Sequence, residues 1–137
     1  MTHSQACFCG SGVAYVACCQ PLLTGKQWPT TAEALMRSRY TAYRLVDIHY
    51  IQKTMAGPAL NGFSKNQAKR WAQRVKWQGL TLVATTLNEA GTQATVEFIA
   101  RFDDQGTLKQ IHERSIFIKQ NQRWVYWDGE TPQPSAE

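Results

Sequence analysis

The sequence predicts an α+β fold, with helices in its first half and an antiparallel sheet in its second. Two changes of pattern carry that prediction. Between Thr30 and Trp77 the apolar residues recur at helical spacing. From Leu80 onward they alternate, most clearly in "ATVEFIARF", where Ala94, Val96, Phe98, Ala100 and Phe102 share one side. A third observation sets the N-terminus apart: all four cysteines lie inside "CFCGSGVAYVACC", from Cys7 to Cys19.

The elements follow in order. Residues 1–25 are rich in Gly, Ser and Cys and form a compact loop structure. "PTTAEALMRSRYTAYRLVD" reads as the first long helix. Thr30 is its expected cap, with Glu33 three residues on as in a capping box. Asp47 caps a short helix, "IHYIQKTM", that stops before Gly57-Pro58. Ser64 caps "KNQAKRWAQRVKW". There Ala68, Trp71, Ala72 and Val75 share a face, and Lys65, Lys69 and Lys76 form a stripe beside it. "LTLVATTL", "ATVEFIARF", "IHERSIFI" and "RWVYW" are strands, joined by the turns "NEAG", "DDQG" and "KQNQ". Strands in sequence with short turns make a four-strand antiparallel meander. The tail "GETPQPSAE", 129–137, is polar and expected to fray.

Composition narrows the function classes. No apolar run approaches the roughly 18 residues of a membrane helix. The N-terminus lacks a basic-then-apolar leader, so the expected location is the cytoplasm, where thiols stay reduced. The formal charge is +5, and no acid stands between Asp47 and Glu89, whereas Lys53, Lys65, Lys69, Arg70, Arg74 and Lys76 do. That stretch reads first as a solvated basic face and second as a landing site for an acidic protein, phospholipid or nucleic acid.

The cysteine spacing is C-x-C-x₈-C-C. Four thiols this close in a reducing compartment point to a metal more than to disulfides, with two disulfides or four free thiols as the alternatives. One structural Zn²⁺ held by Cys7, Cys9, Cys18 and Cys19 fits the count, since a closed zinc site takes four tetrahedral ligands. His3 offers a substitute ligand, but four cysteines already fill the shell. Gly10, Ser11 and Gly12 let the chain reverse and turn backbone N–H groups toward the sulfurs. Tyr15 and Val16 are the expected apolar support.

These residues carry a resemblance. "CFCGSGVAYVACC" resembles the SEC-C motif, the zinc knuckle at the C-terminus of the SecA translocase: Cys-Pro-Cys-Gly-Ser-Gly, a basic stretch with an aromatic, then Cys-Cys or Cys-His. The stretches "PTTAEALMRSRYTAY", "ATVEFIARF", "HERSIF" and "RWVYWDG" are similar to the YchJ family of bacterial proteins. The resemblance implies a SEC-C-like zinc knuckle over 1–25 and a cone-shaped nuclear transport factor 2-like domain over 29–128. It also implies a protein partner for the knuckle, as SecA's docks the chaperone SecB. Three departures stand out: Phe8 replaces the usual proline, "VAYVA" replaces lysines, and no second knuckle follows within the 137 residues.

Domains of that class usually hold a pocket between helices and sheet. The helical phase puts Arg39 amid Ala32, Leu35, Tyr43 and Val46, on the apolar face. A turn at "DDQG" sets Phe98 opposite Ile111, Glu97 opposite His112, Val96 opposite Glu113 and Thr95 opposite Arg114. Glu113 and Ser115 then face inward. Arg39 and Glu113 are expected within salt-bridge or one-water reach, flooring a pocket walled by Tyr40 and Trp127 or simply bracing helix against sheet. Three functions follow. The first is a binding or adaptor protein, with the knuckle for protein contact and the cone for a small ligand or peptide. The second is a small isomerase or hydrolase using Glu113. The third is nucleic-acid binding through the basic helix 64–77, with Trp77 available for stacking.

Overall fold

The computed structural model describes residues 5–132. His3 and residues 133–137 of the tail fall outside that range. A 3₁₀ turn (Tyr15–Ala17) and a short helix α1 (Gln20–Leu23) follow the first cysteines. Then come α2 (Ala32–Arg44), α3 (Ile48–Lys53), α4 (Gly57–Asn61) and α5 (Lys65–Arg74). The sheet is β1 (Val75–Leu87), β2 (Gln93–Asp104), β3 (Thr107–Gln120) and β4 (Arg123–Glu130), antiparallel in the order β1-β2-β3-β4. The α+β order and the meander are as the sequence predicts.

Local chemistry sets the boundaries. Asp47 Oδ1 accepts from the Tyr50 N–H and Ser64 Oγ from the Gln67 N–H, so both expected caps form. At α2 the cap is Thr31, whose hydroxyl accepts from Ala34 N–H, and not Thr30. Glu33 therefore sits one place too early for a capping box and pairs with Arg37 at 3.0 Å instead. α5 ends at Arg74, two residues short of Lys76, and Val75–Trp77 begin β1. Val75 and Trp77 suit a half-buried pleated strand as well as a helix face, and Asp104 and Phe102 of β2 pair with them. α4 was not foreseen; Pro58 in its first turn supports it.

The predicted inner face of β2 is buried throughout: Ala94, Val96, Phe98, Ala100 and Phe102. The β2–β3 pairing differs from the expected one by two residues. Gln105 and Gly106, both at positive φ, form a two-residue turn closed by Asp104 and Thr107. Phe98 therefore faces Glu113, Glu97 faces Arg114 and Val96 faces Ser115. A shift of two preserves the side on which every residue points, so Glu113 and Ser115 still face the helices. The surface pair of His112 with Glu97 also forms, diagonally, at 2.7 Å.

β4 carries one extra residue: Phe117 pairs with Tyr126 and Ile116 with Asp128, which leaves Trp127 in a bulge. The outer edge of β4 is covered by the α3–α4 connection. Tyr126 N–H donates to Thr54 O at 2.8 Å, and Ala56 N–H donates to Tyr126 O at 3.0 Å. β4 itself runs on to Glu130, past the expected start of the tail at residue 129.

Candidate functional site

Two places gather polar chemistry. The first is the cysteine cluster. A small antiparallel bridge between Ala6 and Ala14 closes the loop, and Gly10 and Gly12 take positive φ as the reversal requires. The four Sγ atoms lie within 4.8 Å of one another. Two of the separations are 3.6 Å (Cys9–Cys18) and 4.0 Å (Cys18–Cys19). A tetrahedral ion with bonds of ~2.3 Å to sulfur needs edges of ~3.8 Å. The donor set therefore fits zinc in number, kind and spacing.

The electrostatics agree. Cys9, Cys18 and Cys19 compete for protons. A hydrogen bond from the Cys19 thiol holds Cys9 down to about 4, with Ser11 assisting through its hydroxyl and backbone N–H. Cys19 is pushed up because it gives that hydrogen bond, and burial adds to the rise. Four thiolates cannot coexist here without a cation among them. The Thr41 hydroxyl of α2 donates to Cys19 Sγ at 3.3 Å, and Arg37 donates to the Cys9 carbonyl at 2.7 Å. Ser11 thus supplies a backbone N–H toward the sulfurs as expected of the Gly10–Gly12 stretch, whereas the Gly10 N–H turns to the Cys7 carbonyl. Val16 is exposed, and the apolar support is Phe8, which meets Tyr15 and lies 4.3 Å under the Arg44 guanidinium. Cys7, Cys9 and Cys19 join Leu35, Met36 and Tyr40 in one buried cluster, so the knuckle and the main domain share a core.

The second place is a cavity of about 360 Å³ between the helices and the concave face of the sheet. Tyr43, Trp71, Trp77 and Phe98 wall it. Trp71 meets Tyr43, Trp77 and Phe102 edge-on at centroid distances of 5.8, 5.2 and 5.4 Å, which stiffens that wall. The polar end is built on Glu113. Its Oε2 accepts from Ser115 Oγ at 2.7 Å and from the Tyr126 hydroxyl at 2.8 Å. Burial, reinforced by Glu113, raises the Tyr126 phenol, so it stays a neutral donor.

Arg39, Tyr40, Glu113 and Ser115 all line this cavity. Trp127 does not. The bulge turns it away, and its indole lies against Gly57. Tyr126 takes the place on the wall expected of Trp127. Arg39 and Glu113 form no ion pair among the described residues. Arg39 Nη1 donates to Ile51 O at 2.8 Å and Thr54 Oγ1 at 2.7 Å, and the guanidinium stacks 4.5 Å from the Tyr126 ring centre. Tyr126 thus stands between the two charges, touching one with its face and the other with its hydroxyl. Burial lowers the Arg39 pKa, and the fields of Tyr43, Tyr126, Tyr50 and Glu113 oppose that fall.

The YchJ middle NTF2-like domain model matches residues 31–129. This chain belongs to the YchJ-like family. A UPF0225 protein of Geobacter sulfurreducens is 41% identical over 136 residues, covering 97% of this chain and 84% of that protein. A SEC-C motif containing protein from Rhodopseudomonas palustris, known from a solution structure, superposes with a TM-score of 0.85 at 38% identity. It covers 93% of this chain and 98% of its own. A SEC-C motif containing protein from Psychrobacter arcticus, known from a crystal structure, gives 0.78 at 31% identity, over 96% of this chain and 85% of its own. The YchJ-like chain is therefore a SEC-C cysteine cluster joined to a nuclear transport factor 2-like domain. No helix among the described residues is long and apolar enough to cross a membrane.

Sequence reasoning missed Tyr126 and Gly129 in this YchJ-like pocket. A Cβ on Gly129 would collide with the Tyr126 hydroxyl and lie 2.6 Å from Glu113 Cδ and Oε2. Gly129 is thus the backbone floor that lets the carboxylate lie flat against β4. Gly129→Ala is expected to displace Glu113 and cost about 1–3 kcal/mol in urea unfolding, the usual range for overpacking. An unchanged midpoint would mean that the carboxylate moves aside freely. On α5 the basic side chains are exposed, but Trp77 is only 8% exposed and cannot stack on a nucleic-acid base.

Proposed function

We propose that this YchJ-like protein is a zinc-containing binding protein. In this reading the knuckle holds one structural Zn²⁺ on Cys7, Cys9, Cys18 and Cys19 and offers its outer surface to a protein partner. The cone holds a small ligand. The observation that carries the reading is the cavity of about 360 Å³, with aromatic walls and a prepared acceptor at Glu113. Its size lies at the small-molecule end of binding pockets, which favours a compact ligand over a peptide. Four coordinating sulfurs complete a tetrahedral shell, so the metal's role is to hold the knuckle together.

The enzyme reading has a weaker basis. Glu113 is the carboxylate at the polar end, and its Oε2 already accepts from Ser115 and Tyr126, so taking a substrate proton there would cost a hydrogen bond. A positioned acceptor serves binding without that cost.

Native mass spectrometry of protein purified without chelator tests the metal. At any given charge state the expected mass excess is one zinc per chain less the two protons that its charge replaces. A metal-free chain with an ordered knuckle would overturn it. For the pocket, indole N–H signals of Trp71 and Trp77 should shift on titration with small aromatic ligands. Constant signals across a fragment collection would remove the small-ligand reading.

A further inference from the structure

Arg39 is the buried cation of this molecule that its own fold leaves half served. It sits mid-helix on α2 and is 7% exposed. Both Nη1 hydrogens are committed, one to Ile51 O and one to Thr54 Oγ1. Nε and Nη2 donate to no atom of the described residues. Neither is sealed off: the one sealed, unpartnered side-chain N or O among the described residues is Trp77 Nε1. Arg39 lines the cavity, so its residual exposure opens there. The free pair is the side of the guanidinium whose two parallel N–H groups match the two oxygens of a carboxylate. The Tyr126 ring compensates the charge in part, but no carboxylate of the described chain pairs with it.

The opposite polar group is incomplete in the complementary sense. Glu113 Oε2 receives two donors, while Oε1 receives none from the described residues. One cavity wall therefore lacks an anion and another lacks a donor. An aromatic wall of Tyr43, Trp71 and Trp77 lies along the same space. A simple anion would satisfy Arg39 and be repelled by Glu113. A simple amine would do the reverse. A molecule with both groups meets both walls.

Resting on the small-ligand reading above, we infer that the pocket takes a compact, flat carboxylate bearing an amino or hydroxyl group. Its carboxylate lies on Arg39 Nε and Nη2, its amino or hydroxyl group donates to Glu113 Oε1, and its apolar body lies against the aromatic wall. Thr54 and Ile51 act as positioning groups, because they hold Nη1 and so fix the plane of the guanidinium.

Four probes separate the parts: benzoate, benzamide, meta-hydroxybenzoate and meta-aminomethylbenzoate, each titrated into the full chain and followed by the Trp71 and Trp77 indole and Gly129 amide signals. Benzoate is expected to bind about tenfold more tightly than benzamide, the effect of one charge-assisted fork. One of the meta-substituted probes should gain a further several-fold, and Glu113→Gln should abolish that gain. Arg39→Met should bring benzoate and benzamide level; the ratio in the unaltered protein decides the matter even if that variant folds poorly. Equal affinities of benzoate and benzamide at shifted pocket signals overturn this inference and leave the small-ligand reading intact. Carboxylate preference with no gain from either substituent overturns the Glu113 half. Pocket signals unmoved by all four probes but moved by other fragments overturn the inference alone; signals unmoved by any fragment overturn both.

Discussion

Stripping the metal from the four cysteines is expected to unfold the knuckle and leave the sheet standing. Folding free energies supplied by structural zinc reach about 10–16 kcal/mol in isolated finger peptides, far more than this loop could gain from its own apolar contacts. Hydrogen exchange on chelator-treated protein should show residues 5–25 losing protection. The loss should spread to the side of α2 that carries Arg37 and Thr41, because those residues bond to the cysteines and the two parts share a buried cluster. It should stop there. β2 pairs with β3 from Gln93 to Asp104, a ladder that contains no cysteine, and it keeps Val96 and Phe98 packed with Phe117. Sheet amides that exchange as fast as the knuckle would show one cooperative unit, and a knuckle that keeps its protection would show that the metal does not hold it.

The second large effect is expected at Gly57. It opens α4 at a φ of 61°, and a Cβ there would lie 2.6 Å from the Trp127 indole. Two penalties combine in Gly57→Ala. A left-handed conformation costs a residue with a side chain about 1–2 kcal/mol. Forcing an atom into a packed contact costs about 1–3 kcal/mol more. The expected loss is about 2–5 kcal/mol in urea unfolding followed by tryptophan fluorescence. Gly62→Ala is the control. Gly62 has an ordinary φ of −95° and its nearest neighbour for a Cβ is 3.9 Å away, so its effect should stay within about 0.5 kcal/mol. Equal losses at the two glycines would assign the cost to α4 itself and not to the seat on Trp127.

The parts of this architecture legible in the sequence are those set by neighbours along the chain. Asp47 and Ser64 announce their helices because a cap needs only its own first turn. The inner face of β2 is legible because alternation is local. The side on which Glu113 points is legible although the expected pairing is displaced by two, since parity survives an even shift. The failures come from contacts distant in sequence. The periodicity of α5 runs on through Val75, and only pairing with Asp103 and Asp104 shows that the helix has ended. A bulge cannot be read from a strand's composition, so the sequence points Trp127 into the cavity, and that one inserted residue exchanges it for Tyr126. Arg39 and Glu113 share a cavity as the two patterns require, yet the hydroxyl and ring of Tyr126 intervene. Direct pairing between two long side chains depends on what stands between them, and no periodicity records that.

Helix α2 answers to both places at once. Arg37 and Thr41 reach the cysteines, whereas Arg39, Tyr40 and Tyr43 face the cavity, and all five ride on one 13-residue rod. A short helix packed on both sides moves as a unit, so whatever fixes it for one occupant has already fixed it for the other. If both proposed occupants bind, thermodynamic linkage makes their coupling symmetric: whatever factor the metal contributes to the grip on a pocket ligand, that ligand returns to the grip on the metal. Metal supply and small-molecule supply would then meet in a single equilibrium.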